Sequence, residues 1–115
     1  MSRDDAYLTD VLDACRTLMN STAGMTLEEY GANYEKQLAC ERLFEIIGEA
    51  TKRVSSDLKD SEATLPWKKM IGMRNVVIHQ YDQIDVELVW KIIQQDVPAV
   101  ARQVERLLET RRGSD

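Results

Sequence analysis

The chain contains 115 residues, of which 43% are hydrophobic and 30% are charged, and its formal net charge at pH 7 is −5. This length suits one compact domain, predicted over residues 1–115, and is too short for two. No apolar run is long enough to span a bilayer, and residues 1–5 lack the apolar stretch of a secretory signal. The composition therefore predicts a cytosolic protein without a membrane segment.

The charge is distributed unevenly. Residues 1–65 carry seven Lys/Arg and thirteen Asp/Glu, residues 82–115 carry five and seven, and residues 66–81 carry three and none. An acidic chain does not coat nucleic acid by bulk electrostatics, because that mode needs many phosphate neutralisations. A local basic segment can still bind a few phosphates, while the acidic remainder suits a basic partner protein.

The first half of the chain predicts long helices. Apolar residues recur at three- and four-residue steps from residue 3 to about 22, and Ser2 with Asp5 can cap the start. Thr26 and Glu29 form a second candidate capping box, which opens a short helical turn. A wide apolar arc from residue 33 to about 55 predicts a central, well-buried helix. Its members are Leu38, Ala39, Leu43, Phe44, Ile46, Ile47, Ala50 and Val54.

Gly48 lies inside this predicted central helix. A glycine there costs about 1 kcal/mol relative to alanine. We therefore expect another helix to approach closely at this position.

The second half begins with a polar stretch, residues 55–64, that predicts a loop. Pro66 suits the first position of a new helix, and the apolar spacing from Trp67 to Tyr81 favours helix, with a short strand over 76–78 as the minority alternative. After a break at 82–85, Pro98 either kinks the next helix or opens the last one. We expect residues 1–2 and 110–115 to fray. Five helical segments and no strand predict an all-α, up-and-down bundle of four to five helices.

The two cysteines, Cys15 and Cys40, each lie in a helical segment, which predicts small core residues and neither a disulfide framework nor a metal knuckle. The chain has one histidine, and its carboxylates are scattered. No metal site and no cofactor are expected from this pattern.

The basic segment contains Arg74, the only histidine, His79, and Tyr81 in the sequence RNVVIHQY. These groups suit phosphate chemistry: arginine offers a cationic fork, histidine titrates near neutral pH, and tyrosine carries a modifiable hydroxyl. Purely structural roles are the alternative. Arg74 can pair with Glu49 or Glu45, the histidine can be a satisfied hydrogen-bonding residue, and the tyrosine ring can pack in the core.

In an ideal helix, Arg74 and Tyr81 lie about 20° from a common face and about 10 Å apart along the axis, whereas His79 lies about 140° from Arg74. Either the helix ends near His79, or the site is completed from elsewhere. The single histidine favours a site completed from elsewhere. Cleavage of RNA by attack of its 2′-hydroxyl, for example, benefits from one group that accepts a proton and a second group that donates one. A two-fold dimer would supply two copies of the histidine and of the arginine across one cleft.

Several separated segments together resemble the HepT-like branch of the HEPN superfamily. They are residues 41–50 (ERLFEIIGEA), Leu65-Pro66-Trp67, Gly72-Met73-Arg74-Asn75 with His79 and Tyr81, and Val89-Trp90. The likeness extends from the first helix to about Leu108. It implies a helical homodimer that acts as a metal-independent endoribonuclease toxin on RNA, encoded with a minimal nucleotidyltransferase (MNT-type) antitoxin.

The resemblance also implies residue roles. Arg74 and His79 match the catalytic pair, and Tyr81 matches the tyrosine to which the partner, using ATP and Mg²⁺, adds AMP. We assign Asn75, Lys68, Lys69 and Glu49 as supporting residues or RNA contacts.

Two positions depart from the common family pattern: Gln80, where glycine is frequent, and Asp82, where an aromatic residue often follows the tyrosine. Asp82 adds a negative charge beside the predicted RNA site, which either weakens substrate binding or orients a basic residue of the antitoxin. The alternative function is a non-catalytic module that binds a nucleotide or the partner nucleotidyltransferase.

Overall fold

The computed structural model describes residues 2–76 and 83–113. These residues form helices joined by short connections, and none of them lies in a strand. The predicted all-α helical bundle is confirmed. The elements are α1 (Arg3–Thr22), α2 (Leu27–Ala32), α3 (Tyr34–Arg53), α4 (Ser56–Ser61), α5 (Trp67–Gly72), a 3₁₀ turn (Met73–Asn75), α6 (Gln83–Lys91), a π-helical turn (Ile92–Asp96) and α7 (Val97–Gly113).

The core lies where α1 packs against α3 and α7, and α5 with the 3₁₀ turn also packs against α3. The Tyr30 ring on α2 packs against Trp90 on α6 with their centroids 5.0 Å apart. Burial of these apolar faces is the main source of stability. The largest fully buried side chains are Tyr30, Phe44, Leu8, Leu18, Ile47, Met70, Ile93, Val11, Val89, Val97, Val100 and Val104.

Two predicted helix starts are confirmed. The Ser2 hydroxyl accepts the backbone N–H of Asp5 at 3.2 Å. Thr26 and Glu29 form a complete capping box, with reciprocal side-chain to backbone bonds of 3.1 and 2.9 Å. Each cap satisfies backbone donors that the first helical turn leaves unpaired.

The loop predicted over residues 55–64 is wrong in its first part, because α4 forms there. The Ser55 hydroxyl accepts the N–H of Leu58 at 3.2 Å, and Leu58 is buried. Asp4 on α1 accepts both the N–H and the hydroxyl of Ser55, at 2.8 and 2.6 Å. A contact between distant parts of the chain thus fixes this short helix.

Pro98 is the second residue of α7, the last helix, and the helical backbone before it continues into α7 without a loop. Helical backbone runs from Gln83 to Gly113 through the π-helical turn, in which the N–H of Val97 donates to the carbonyl of Ile92. A π turn lets the helix accommodate the missing N–H of proline. α7 continues through residue 110 and ends at Gly113. There Arg111 pairs with Asp5 near the start of α1.

The burial predictions are confirmed for the two cysteines and wrong for two neighbouring members of the α3 arc, Leu38 and Ala39, which are both exposed. Cys15 and Cys40 are fully buried free thiols, and burial raises the pKa of Cys15 to about 12. Leu38 on α3 was expected in the core, but it is 44% exposed. No helix among the described residues combines the length and hydropathy needed to cross a bilayer.

Candidate active site around Arg74

The segment that carries Arg74 is anchored by buried side chains. Trp67, Met70 and Met73 all turn into the core, and the Trp67 indole N–H donates to the carbonyl of Glu62 at 2.8 Å. A buried tryptophan with its N–H satisfied holds the start of α5 in one place. Arg74 follows directly after the buried Met73, so its backbone position is set by the core.

The helix predicted from Trp67 to Tyr81 ends earlier than expected. α5 stops at Gly72, and the 3₁₀ turn that follows closes with a 3.0 Å bond from the N–H of Val76 to the carbonyl of Met73. Val76 itself is extended, with φ −75° and ψ 95°. The helical geometry assumed for Arg74 relative to His79 and Tyr81 therefore does not apply. Both of those residues, and most of the alternative strand at 76–78, lie outside the described residues.

Gly48 is the point where α3 meets Arg74. A Cβ built on Gly48 would lie 2.5 Å from the backbone nitrogen of Arg74 and 2.9 Å from its Cα, and closer still to its Cβ. These distances are far below van der Waals contact, so only glycine allows this approach. The predicted close approach at Gly48 is confirmed, although its partner is the 3₁₀ turn rather than a long helix.

The Arg74 side chain is held by the next residue of α3. Its Nη1 donates to Oε1 of Glu49 at 3.3 Å, and both side chains remain partly exposed. The pairing of Arg74 with Glu49 was one of the two structural alternatives. The other candidate, Glu45, instead pairs with Arg42 at 3.1 Å. Arginine has five N–H donors, so one bond to Glu49 leaves donors for a second anion.

The other predicted supporting residues share the exposed surface of this segment. Lys68 and Lys69 are exposed on α5, and Asn75 is exposed next to Arg74. Lys69 is directed to Asp96 in the π-helical turn, with its Nζ 3.5 Å from the carboxylate. The structure thus brings Arg74 together with Glu49, whereas Lys69 has a carboxylate partner of its own.

Sequence reasoning missed that Gly48 and Arg74 touch. The available signal was a glycine inside an apolar helix, followed at once by a glutamate. In the described part of the chain, no three His, Cys, Asp or Glu side chains are grouped so that they could hold a metal ion.

Comparison with known proteins identifies the family. The model of the family described as "Ribonuclease HepT-like" matches residues 11–107. The chain belongs to the HepT-like ribonuclease family. This match extends from within α1 through α3 and the Arg74 segment into α7, so the resemblance seen in the sequence motifs is confirmed. The HepT-like chain is accordingly an endoribonuclease by family.

Named relatives agree with this assignment. A protein of Methanocaldococcus jannaschii, provisionally named RNase MJ1380, is 37% identical over 107 residues, which is 91% of this chain and 98% of the relative. A protein of Thermococcus cleftensis, provisionally named ribonuclease HepT, is 34% identical over 88% of this chain and 92% of its own length. No solved structure matched the chain.

Proposed function

We propose that this HepT-like ribonuclease is the toxin of a toxin–antitoxin module of the type VII kind and cleaves RNA without a metal ion, using Arg74 and His79. The observation that carries the proposal is the placement of Arg74. It lies at the surface on a turn whose backbone is packed against Gly48, in the chain segment that has basic residues and no carboxylates. A guanidinium held in one position suits stabilisation of a phosphate.

The proposed chemistry needs one cation and two proton transfers. The 2′-oxygen attacks phosphorus, a base accepts its proton, the bond to the 5′-oxygen breaks, and an acid protonates that oxygen. The products are a 2′,3′-cyclic phosphate and a 5′-hydroxyl end. Arg74 would stabilise the charge on the pentacoordinate phosphate, while His79 would accept or donate the proton. Lys68 and Asn75, both exposed, are proposed as RNA contacts.

A homodimer would supply the second histidine. The surface that supports this proposal is a groove of about 570 Å³ on α2 and α6, lined by Leu27, Leu88 and Trp90. Leu88 is 55% exposed, and Glu87 and Lys91 lie one turn apart beside it. If two copies of α6 pair antiparallel across a two-fold axis, each glutamate meets the lysine of the other copy. Leu88→Glu should then produce monomers in light scattering.

We further propose that the partner is an MNT-type nucleotidyltransferase antitoxin, which uses ATP and Mg²⁺ to add AMP to Tyr81. Added AMP brings negative charge and bulk to the RNA site, and both would exclude substrate phosphates. The overall charge of −5 supports binding of a basic partner surface. The same charge favours the second candidate function, a binding module that does not cleave RNA.

The deciding experiment is a cleavage assay on single-stranded RNA with the unmodified protein, verified by intact mass, in the presence of EDTA. Arg74→Ala and His79→Ala should each abolish cleavage. Arg102→Ala is the matched control, because Arg102 is exposed on α7 and its substitution removes the same charge at a position away from the site. Cleavage that survives both site substitutions refutes the assigned residues. A protein that binds the nucleotidyltransferase but cleaves no RNA supports the binding module instead.

A further inference from the structure

Arg74 is attached to α3 at both ends of its side chain. Its Cα and Cβ pack on Gly48, and its guanidinium bonds to Glu49. Between these two attachments the side chain has several rotatable bonds, which would otherwise let the guanidinium sample many positions. Two consecutive residues of one rigid helix therefore restrict both the origin and the tip of this side chain.

The bond to Glu49 leaves the guanidinium able to bind an anion. Among the described residues, Nη1 is the only guanidinium nitrogen of Arg74 that has a hydrogen-bond partner. The remaining N–H groups of a planar guanidinium point along other edges of the same plane. The bond at Nη1 thus restrains that plane while the other edges remain available to a phosphate oxygen.

Stability does not explain this pair well. Glu49 is 53% exposed and Arg74 is 35% exposed, and ion pairs at such exposed positions contribute little to folding. A carboxylate beside a phosphate site also opposes binding of the substrate. A residue that neither strengthens the fold nor attracts RNA requires another role, and orientation of Arg74 is the role that the geometry supports.

We propose that Glu49 is a positioning residue, which orients the Arg74 guanidinium so that its free edge faces the phosphate that is cleaved. This inference rests on the proposed ribonuclease function of Arg74. Loss of the carboxylate should lower kcat, because fewer molecules hold the guanidinium in the productive orientation. KM should stay the same or fall, because the negative charge near the substrate is gone.

The test compares Glu49→Ala, Glu49→Gln and Glu45→Gln in steady-state cleavage of a fluorescent single-stranded RNA. We expect Glu49→Ala to lose on the order of tenfold in kcat without a higher KM. Glu49→Gln keeps an oxygen that can accept the Arg74 bond, so it should recover part of that loss. Glu45→Gln is the control, because Glu45 lies one turn earlier on α3 and pairs with Arg42. It should behave as wild type.

A second readout works even if the protein cleaves no RNA. Phenylglyoxal modifies accessible guanidinium groups, and peptide mass mapping gives the rate at which the Arg74 side chain is modified. Glu49→Ala should raise this rate relative to wild type and Glu45→Gln. Faster labelling without any RNA cleavage by the wild type would refute the proposed function and support the restraint on Arg74.

Two results would overturn the positioning role. The first is equal labelling of Arg74 in the Glu49 variants and the control, together with wild-type kcat. The second is a higher kcat/KM in Glu49→Ala with kcat unchanged, which would mean that the carboxylate only competes with the substrate phosphate.

Discussion

Gly48→Ala should disable the proposed site and leave the bundle folded. The new Cβ would lie 2.5 Å from the backbone nitrogen of Arg74 and 2.9 Å from its Cα, whereas carbon contacts are comfortable at about 3.5–4.0 Å. The 3₁₀ turn must therefore move away from α3 by roughly 1 Å. A displacement of that size in a positioning element can cost on the order of 100-fold in rate.

Gly48→Ala should affect the stability of the fold less than it affects the rate of cleavage. Overpacking typically costs about 1–3 kcal/mol, and the better helix propensity of alanine offsets about 1 kcal/mol of it. The free energy of unfolding should fall by no more than about 2 kcal/mol on these magnitudes. Gly72→Ala is the matched control, because a Cβ there meets no atom within 4 Å and its φ of −62° is helical. That variant should cleave normally and gain about 0.5–1 kcal/mol.

The assay combines urea unfolding, followed by circular dichroism, with single-turnover RNA cleavage. Normal cleavage and normal stability in Gly48→Ala would refute the reasoning, since the backbone contact would then have no consequence. Equal losses in both glycine variants would also refute it, because the control has no such contact.

Three further predictions concern the folded body. Cys15 and Cys40 should react with a thiol reagent at about pH 8 only as fast as the protein unfolds, because both are buried and burial raises the pKa of each thiol. Asp5→Asn should lower the free energy of unfolding at neutral pH by at most about 1 kcal/mol. The hydrogen bond from Arg111 lowers the pKa of Asp5. The stabilisation of the folded state by this bond is therefore present above the ordinary carboxyl pKa and is lost as the pH falls through the lowered pKa of Asp5. The urea unfolding curves of the variant and the wild type should therefore converge in acid. Tyr30→Phe should change the free energy of unfolding by no more than about 1 kcal/mol, because the buried hydroxyl interacts with the Cys40 thiol, which is a weak hydrogen-bond partner; a clearly larger loss of stability in thermal melts would contradict this.

Local signals predicted most of the bundle. The caps at Ser2 and at Thr26 with Glu29 involve residues three apart, so the sequence alone reveals them. α4 was missed because its start depends on Asp4, which lies 51 positions from Ser55. Leu38 was misplaced because the apolar arc of α3 is wider than the neighbouring helices cover.

The site was predictable in its residue types but not in its geometry. The ordered motifs indicated Arg74, and its possible pairing with Glu49 followed from opposite charge and from the position of Glu49 on the neighbouring predicted helix, 25 residues earlier in the chain. The end of α5 at Gly72 did not follow, because the apolar pattern from Trp67 onwards is compatible with a continued helix. The contact of the 3₁₀ turn with Gly48 is a tertiary constraint, and periodicity carries no information about it.

Gly48 and Glu49 act on the same side chain, and this makes their effects non-additive. We expect Gly48→Ala to lower the rate of RNA cleavage on the order of 100-fold and Glu49→Ala on the order of tenfold. If the two residues acted independently, the double variant would cleave about 1000-fold more slowly than wild type. Once the turn has moved, however, the 3.3 Å bond between Arg74 and Glu49 no longer sets the productive orientation. The double variant should therefore lose little more than Gly48→Ala alone. A full product of the two effects in single-turnover cleavage would show that the two residues act through different groups.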